Sequence, residues 1–232
     1  MPANRVGIRG RERWTILGLA ALVGLLLGLA ACGSRPNRLE VLRHQRQVLS
    51  FRADKDRFFK DSPQSPLFNE QQWAFHALNY FPVDIAYRVT ARYRHLTSPA
   101  QFKIKTSTGH ERVYLTVGQL DFTLLGQTLT LFAYREDSPE GRARNELFVP
   151  FTDKTNGRET YGGGRYLDIE EPKGDKLVLD FNYAYNPYCA YNHNFSCPIP
   201  PPENHLGVAV RAGERLFLPP TPAGEELPHR AE

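Results

Sequence analysis

The sequence has no long run of lysine or arginine, and its charges nearly cancel. The formal net charge is +4 over 232 residues. Residues 1–32 hold four arginines and one glutamate, so 25 basic and 24 acidic side chains remain after Cys32. A nucleic-acid-binding surface usually shows as a clustered excess of basic residues. The near-neutral balance therefore argues against nucleic acid as a partner.

Cysteine is also scarce, with three in the chain. The first, Cys32, follows a basic lead and an apolar run from Thr15 to Ala31, an order typical of a secretory signal peptide. The ending Leu-Ala-Ala-Cys resembles the bacterial lipobox, in which the cysteine is lipidated. We predict a signal peptide at residues 1–31, lipidation at Cys32 and a tether at residues 32–38. A short membrane anchor of about 17 residues is the alternative.

The residue after Cys32 bears on location. Gly33 in this position resembles the pattern that sends lipoproteins to the outer membrane. We therefore predict a membrane-anchored lipoprotein on the periplasmic face of the outer membrane in a Gram-negative cell, and otherwise on the outer face of the cell membrane. The membrane, reached through the N-terminal lipid, is thus a predicted partner.

The other two cysteines lie in the least ordinary stretch of the chain, "NYAYNPYCAYNHNFSCPIPPPEN", residues 182–204. In an exported protein a single pair of cysteines favours a disulfide, so we predict that Cys189 and Cys197 are bonded. With His193 and His205 they also form C-x3-H-x3-C-x7-H, but the C-x2-C pair of many zinc sites is missing. A metal site and free thiols remain alternatives. We predict no metal and no cofactor.

Proline and glycine are absent from Leu39 to Lys60, where apolar residues recur at helical spacing. This stretch predicts an amphipathic helix, which the prolines of "DSPQSP" end because proline cannot continue a helix. A second, shorter helix is predicted from about Asn69 to Leu78. Together they form an N-terminal helical segment at residues 39–80.

Helical periodicity is absent after Asp84. Segments such as "IAYRVTARY", "RVYLTV" and "TLTLFAY" alternate and are rich in β-branched and aromatic residues, with turn signals between them. The predicted fold is mainly β, an antiparallel barrel or sandwich with one or two N-terminal helices. This β-rich domain covers residues 81–217, and the proline-rich tail at residues 218–232 is predicted to be disordered.

Two neighbouring segments hold polar side chains on strand patterns. In "KLVLDFNYAY", residues 176–185, alternation places Leu177, Leu179 and Phe181 on a core face and Asp180 and Asn182 on a polar face. "RYLDIE", residues 165–170, precedes it across a turn, so the two are predicted to pair as a hairpin that brings Asp168 near Asp180. Such a pair suits acid–base chemistry, although aspartates on neighbouring strands are commonly only solvated.

Several of these segments resemble a known family. "LFVPFTDKTNGRETYGGGRYLDIE", "LDFNYAYNPYCAYNHNFSCPIPPPEN" and "VAVRAGE" look like the uncharacterised bacterial and haloarchaeal family called domain of unknown function 1684, many of whose members are predicted lipoproteins. The resemblance covers roughly residues 50–215. It implies a single exported domain here, and it implies no activity.

These observations leave three hypotheses. The leading one is a non-catalytic, lipid-anchored β domain that binds a small polar ligand or an envelope protein through a Tyr/Asn-rich surface. The alternative is an envelope hydrolase that uses Asp168, Asp180 or Glu203, with or without a metal at the Cys/His loop. The chain has no G-x-S-x-G or H-E-x-x-H motif to support it. The third is a structural envelope protein. The residues predicted to bind the ligand are Tyr161, Arg165, Tyr166, Asp168, Asp180, Asn182, Asn186, Tyr191, Asn192 and Asn204.

Overall fold

A computed structural model describes residues 36–219. The predicted signal peptide, Cys32, most of the tether and nearly all of the tail lie outside these residues. By its internal contacts the chain divides into two units, residues 1–41 and 42–232. Within residues 36–219, none of the helices has the length and apolar character that a bilayer crossing requires.

The first helix, α1, spans Arg38–Asp61. It runs without proline or glycine and ends just before Ser62-Pro63. Its buried residues are His44, Val48, Arg52 and Phe59, which share one side of the helix because they recur at multiples of nearly four residues. The predicted N-terminal helix is therefore confirmed.

The second helix, α2, spans Asn69–Ala74 and is shorter than predicted. The chain becomes extended at Phe75, and the amide of Leu78 donates to Asp56 Oδ1 at 2.9 Å. Phe75 and Leu78 are buried with Phe59 in a small apolar cluster. The helix ends early because the extended chain can pack both Phe75 and Leu78 against α1. These contacts stabilise the segment more than a longer helix would.

The rest of the described chain is dominated by one sheet. Its strands are β1 (Arg88–Lys105), β2 (Glu111–Leu124), β3 (Gln127–Glu136), β4 (Glu146–Asp153), β5 (Arg165–Glu170), β6 (Lys176–Asp180) and β7 (His205–Leu206). A short helix, α3 (Pro139–Ala143), connects β3 to β4. The order is β5-β4-β3-β2-β1-β6, antiparallel throughout, and β7 pairs with β4 in parallel. The mainly antiparallel β fold is confirmed.

The predicted hairpin of β5 and β6 is wrong. Strand β5 pairs with β4 and β6 pairs with β1, so they lie at opposite ends of the sheet order. The sheet nevertheless curls into a half-barrel that brings these two ends together. Tyr166 of β5 and Tyr185, five residues beyond β6, exchange two backbone hydrogen bonds of 2.9 and 3.0 Å. Curling satisfies backbone groups that would otherwise remain unpaired at the sheet ends.

The main core fills the inside of this curl. Its fully buried side chains alternate along the strands, as a one-sided sheet requires. They include Leu120, Leu131, Leu147, Val149, Phe151, Leu179 and Phe181.

The predicted alternation of residues 176–186 holds only in its first part. Leu177, Leu179 and Phe181 are buried as predicted. Strand β6 then ends at Asp180, whose carboxylate caps a 3-10 turn at Phe181–Tyr183. A turn has no two-residue period, so Asn182, on the predicted polar face, is also buried.

Candidate functional site

A cleft of about 660 Å³ lies between helix α1, strands β2 to β5 and the loop at residues 187–198. Its size is within the range of small-molecule sites. Much of its lining is aromatic: Phe51, Phe58, Phe59, Tyr114, Tyr134, Phe148, Tyr166, Tyr185, Tyr188 and Phe195.

The floor of the cleft consists of Tyr114, Tyr134, Phe148 and Tyr166, and the strand register explains why these rings lie together. Tyr134 lies opposite Phe148, and Phe148 lies opposite Asp168, so these three residues form one row across β3, β4 and β5. Phe148 stacks on Tyr114 at a centroid distance of 5.5 Å and meets Tyr166 edge to face at 4.8 Å. Because Leu147 and Val149 point into the core, Phe148 between them points into the cleft. The floor is therefore held by both the sheet and ring packing.

Charged side chains of both signs surround this floor. The basic residues are Lys55, Arg112, Arg135 and Arg144. The acidic residues are Asp54, Glu136, Glu146 and Asp168. Because the two sets are equal in number, the described lining of the cleft has no formal excess of either charge.

Asp168 is the predicted site residue most clearly placed in the cleft. Its side chain is accessible to solvent, yet protein surrounds it on most sides, and this desolvation raises the pKa of its carboxyl group above the usual value. The hydroxyl of Tyr185 donates to Asp168 Oδ2 at 2.6 Å and opposes that increase. The negative charge of Glu146 also raises the pKa.

Glu146 and Asp168 occupy one face of the sheet. Glu146 pairs with Glu170 across β4 and β5, so Asp168 is its diagonal neighbour. Diagonal positions in an antiparallel pair lie roughly 7–8 Å apart. The cleft therefore holds a carboxylate pair, although its second member is Glu146 rather than the predicted Asp180.

Lys55 closes the α1 side of the cleft. Its Nζ lies 2.5 Å from Glu214 Oε1 and 4.7 Å from the centroid of Tyr185. Glu214 is 1% exposed, and its other oxygen accepts hydrogen bonds from the amide of Asn186 at 2.8 Å and from the hydroxyl of Tyr191. Glu214 therefore joins α1 to the loop that follows β6.

The predicted disulfide is not present in the described chain, where Cys189 and Cys197 are free thiols. They are neighbours nonetheless, because the amide of Cys189 donates to Cys197 Sγ at 3.2 Å. Cys197 lines the cleft. The spacing thus predicted the proximity of the two sulfurs correctly but their bonding wrongly.

The alternative metal site is not assembled. His193 lies beside Phe68, and Nδ1 of His205 is 2.9 Å from the hydroxyl of Thr152 on β4. Within residues 36–219 no three His, Cys, Asp or Glu side chains come together in a way that could hold a metal ion.

Arg165, one of the predicted ligand-binding residues, lies inside the protein with 0% exposure. It donates to Asp153 Oδ2 at 2.8 Å and to the carbonyl of Val210 at 2.8 Å. Further donor groups reach the carbonyls of Ala212 and Glu214. Arg165 thus binds the C-terminal segment of the chain itself, and it is not available to a ligand.

The predicted asparagines also serve the backbone. Asn204, with 0% exposure, bonds the amide and carbonyl of Phe132 and the carbonyl of Pro150, which links β3 to β4. Asn182 bonds both backbone groups of Asp84. The side chain of Asn186 donates to the carbonyl of Arg215 at 2.8 Å.

The remaining predicted residues are divided. Tyr166 lines the cleft, and its hydroxyl donates to the carbonyl of Pro198. Tyr161 lies with its hydroxyl 3.6 Å from Cys189 Sγ. Tyr191 is buried against Phe59, with ring centroids 4.8 Å apart. Asn192 accepts a hydrogen bond from the amide of Asn194 at 3.0 Å, a common turn arrangement.

The three carboxylates of the hydrolase hypothesis do not meet in the cleft. Asp180 is 2.6 Å from His44 Nε2 and lines a separate depression of about 430 Å³, which Asp168 also reaches. Glu203 accepts a hydrogen bond from Tyr134 at 3.2 Å. The curl of the sheet, and not a hairpin, brings Asp168 and Asp180 to one depression.

Several cleft residues escaped the sequence reasoning. Tyr114, Tyr134 and Phe148 occupy alternate positions next to core residues, where a solvent-facing strand would normally hold polar groups. That pattern was a usable signal. Lys55 and Glu146 offered none, because a charged residue on a helix or at the start of a strand is ordinary.

Comparisons with known proteins agree with this fold. The model of the family described as "Protein of unknown function (DUF1684)" matches residues 73–215. The solution NMR structure of an uncharacterized protein from Haloarcula marismortui is 43% identical, with a TM-score of 0.59. The alignment covers 73% of this chain and 92% of the haloarchaeal one. No curated protein matches. The family model spans more than half of the chain, so this protein is a member of the DUF1684 family.

Proposed function

We propose that this protein binds a small, uncharged polar ligand with a flat apolar face, of the sugar class, in the cleft between α1, the sheet and the loop at residues 187–198. The observation that carries the proposal is the combination of an aromatic lining with charged groups of both signs in one cavity of about 660 Å³. A sugar ring offers apolar C–H faces to aromatic rings and hydroxyls to charged side chains.

Aromatic surface is available to a ligand and not only to the core. Phe58 is 36% and Tyr188 is 38% exposed, and both line the cleft. Beneath them Tyr134 and Tyr166 are 1% and 5% exposed, so they form a packed base. Rigid aromatic walls lower the entropic cost of binding because few rotamers must be ordered.

The balance of charge supports an uncharged ligand. Four basic and four acidic side chains line the cleft among the described residues. Several are already paired inside the protein, as Arg135 is with Glu171 at 2.5 Å. Such groups offer donors and acceptors to hydroxyls without a net field that would select a strongly charged ligand.

Binding is tested by calorimetric titration with neutral mono- and disaccharides, uronic acids and nucleotides. We expect neutral sugars to bind best, and Phe58→Ala to weaken the affinity about 2- to 10-fold, the effect of one aromatic contact. Trp73→Ala is the matched control, because Trp73 is 89% exposed and lies outside the cleft. No binding of any sugar, or equal effects of the two substitutions, would overturn the proposal.

We also propose that a lipid on Cys32 holds the protein at the outer face of a membrane. The support is the sequence order of basic lead, apolar run and Leu-Ala-Ala-Cys. Mass spectrometry of the full chain after expression in a bacterial host measures the acyl groups. We expect an acylated N-terminal cysteine, and Cys32→Ser should remain unprocessed. The lipid-anchor proposal would be refuted if Cys32 carried no acyl group and the leader at residues 1–31 were still attached.

A second candidate function is hydrolysis of a glycosidic bond, which the diagonal placement of Glu146 and Asp168 favours. This reaction uses two neighbouring carboxyl groups, and its general acid has a raised pKa, as Asp168 has here. Release of nitrophenol from nitrophenyl glycosides measures the activity. We expect Glu146→Gln and Asp168→Asn each to abolish it, while sugar binding persists. If both variants still hydrolysed the glycosides, Glu146 and Asp168 would not be the catalytic carboxyl groups.

A further inference from the structure

The two thiols form a group that neither ligand binding nor hydrolysis uses. Cys197 is 8% exposed and lines the cleft, whereas Cys189 is half-buried. Both lie in the loop at residues 187–198, which lines one side of the cleft. The question is what a pair of adjacent free thiols does at this position.

Hydrogen-bond donors surround the sulfur of Cys189. The thiol of Cys197 and the hydroxyls of Tyr161 and Ser107 all interact with it, and the Tyr161 oxygen lies at 3.6 Å. Donors to a sulfur stabilise its thiolate form more than its thiol form. The three side chains come from separate parts of the chain, so their convergence depends on the fold.

The same contacts separate the two thiols in acidity. The hydrogen bond from Cys197, with those from Tyr161 and Ser107, lowers the pKa of Cys189 to about 6. For Cys197 the hydrogen bond to Cys189 and then burial raise the pKa. Arg112 acts in the opposite direction on Cys197. One thiol is therefore prepared to ionise while its neighbour holds a proton.

The loop is tied down on both sides of Cys197. The amide of Cys197 donates to the hydroxyl oxygen of Ser107 at 3.1 Å, and the carbonyl of Cys197 accepts a hydrogen bond from the amide of Ser107 at 2.9 Å. The hydroxyl of Ser196 donates to Thr106 at 2.8 Å. These bonds anchor the loop to the end of β1 and the turn after it, so the two sulfurs are held as neighbours.

We propose that Cys189 and Cys197 form a thiol–disulfide exchange site, in which Cys189 is the attacking sulfur and Cys197 the resolving one. The co-substrate is a disulfide, R–S–S–R. The thiolate of Cys189 attacks one sulfur of R–S–S–R, which gives a Cys189–S–S–R mixed disulfide and releases RS⁻. Cys197 gives its proton to the first RS⁻, attacks Cys189 Sγ and releases the second RS⁻, which takes up a proton from water. The protein is oxidised by two electrons and R–S–S–R is reduced to two thiols.

The first test measures alkylation of the reduced full chain by iodoacetamide against pH, with peptide mapping to separate Cys32 from the other cysteines. We expect the rate at Cys189 to level off above about pH 7, whereas an ordinary cysteine gains rate through about pH 8.5. Tyr161→Phe and Cys197→Ala each remove one donor, so the inflection should move to higher pH. Tyr188→Phe is the matched control, since it removes a hydroxyl from the same loop without touching either sulfur.

The second test follows reaction with oxidised glutathione. We expect the wild-type protein to end as a Cys189–Cys197 disulfide, and Cys197→Ser to accumulate one glutathione on Cys189. Cys189→Ser should react slowly at Cys197. An inflection near pH 8.5 that Tyr161→Phe does not move, or a mixed disulfide that forms first on Cys197, would overturn the proposal. Sugar binding is measured separately, so the two proposals stand or fall independently.

Discussion

At the scale of single residues, Arg165 was predicted to bind a ligand, but its burial gives it a structural role. Arg165 is surrounded by Asp153 and by three carbonyls of the C-terminal segment. Next to it, Gly164 has φ +93°, and a Cβ there would lie 2.8 Å from the carbonyl oxygen of Phe151. The glycine beside Arg165 therefore serves a close approach of two chain segments.

Replacing Arg165 should destabilise the protein strongly. Arg165→Met leaves the carboxylate of Asp153 buried without its partner, and we expect a loss of about 3–5 kcal/mol in the free energy of unfolding. Urea denaturation measures it. The control is Arg211→Ala, which breaks an exposed pair with Glu159 and should cost about 0–1 kcal/mol. Equal losses for the two variants would contradict the assigned role of Arg165.

Asp168 should make stability depend on pH. Desolvation raises the pKa of its carboxyl group in the folded state, so the folded protein holds this proton more tightly than the unfolded chain does. The contribution of Asp168 to stability is therefore greatest below the unfolded pKa of about 3.9 and is lost as the pH rises through the folded pKa.

Asp168→Asn should remove that dependence. The variant keeps an acceptor for the hydroxyl of Tyr185 and carries no charge, so we expect it to be more stable than wild type at neutral pH and to lose the advantage in acid. Unfolding free energies from pH 3 to 8 provide the measurement. Asp175→Asn, in the exposed turn before β6, is the control. A variant with the wild-type slope would show that Asp168 is not desolvated.

At the scale of elements, helix α1 is held by a few specific contacts. Arg52 donates to the carbonyl of Phe81 at 2.8 Å, and its guanidinium lies 4.5 Å from the centroid of Tyr80. Phe59, with 0% exposure, packs against Phe75 and Tyr191. Because α1 forms one wall of the cleft, these contacts also determine the shape of the site.

Phe59→Ala should therefore loosen α1 more than any other part of the protein. We expect a cost of about 3–5 kcal/mol, as for other buried phenylalanines, and faster amide exchange in α1 than in the sheet. Phe58→Ala changes the neighbouring ring, which is 36% exposed, and should cost much less. Hydrogen exchange of both variants makes the comparison, and uniform acceleration across the sheet would argue against separate anchoring of the helix.

At the scale of the whole β-rich domain, the C-terminal segment at residues 207–217 connects distant parts of the chain. The carbonyl of Gly213 accepts the amide of Phe81 at 2.9 Å, and the amide of Glu214 donates to Ala184 at 2.9 Å. The amide of Lys154 donates to Val208 at 3.0 Å. This segment therefore joins the chain before β1, the residue after β4 and the chain beyond β6.

Gly213 allows that crossing. Its φ is +75°, and a Cβ would press against the carbonyl oxygen of Ala184 and lie 2.8 Å from that of Phe181. Gly126, in the turn between β2 and β3, has φ +76° but nothing within 4 Å of a Cβ. Both Gly→Ala changes should lose about 1–2 kcal/mol to backbone strain, and Gly213→Ala about 1–3 kcal/mol more to the clash. Thermal unfolding measures the difference, and equal losses would contradict a tight crossing.

The sequence alone determined the class of the fold and the family. Alternation with a two-residue period, turn signals and the proline-free stretch at residues 39–60 are local properties, so they predicted an antiparallel sheet preceded by a helix. The long C-terminal motifs were enough to identify the family. The spacing of Cys189 and Cys197 in one short loop was enough to place the two sulfurs together.

Only the tertiary structure decided which residues face the cleft. The curl of the sheet joins β5 to Tyr185, and this long-range pairing leaves no mark on local alternation. Burial decided the role of Arg165 and Asn204. The sequence does not distinguish a polar residue that binds a ligand from one that bonds a backbone carbonyl. Register placed Glu146 beside Asp168 and Phe148 among the tyrosines. These outcomes depend on contacts between residues far apart in the chain, which sequence periods do not encode.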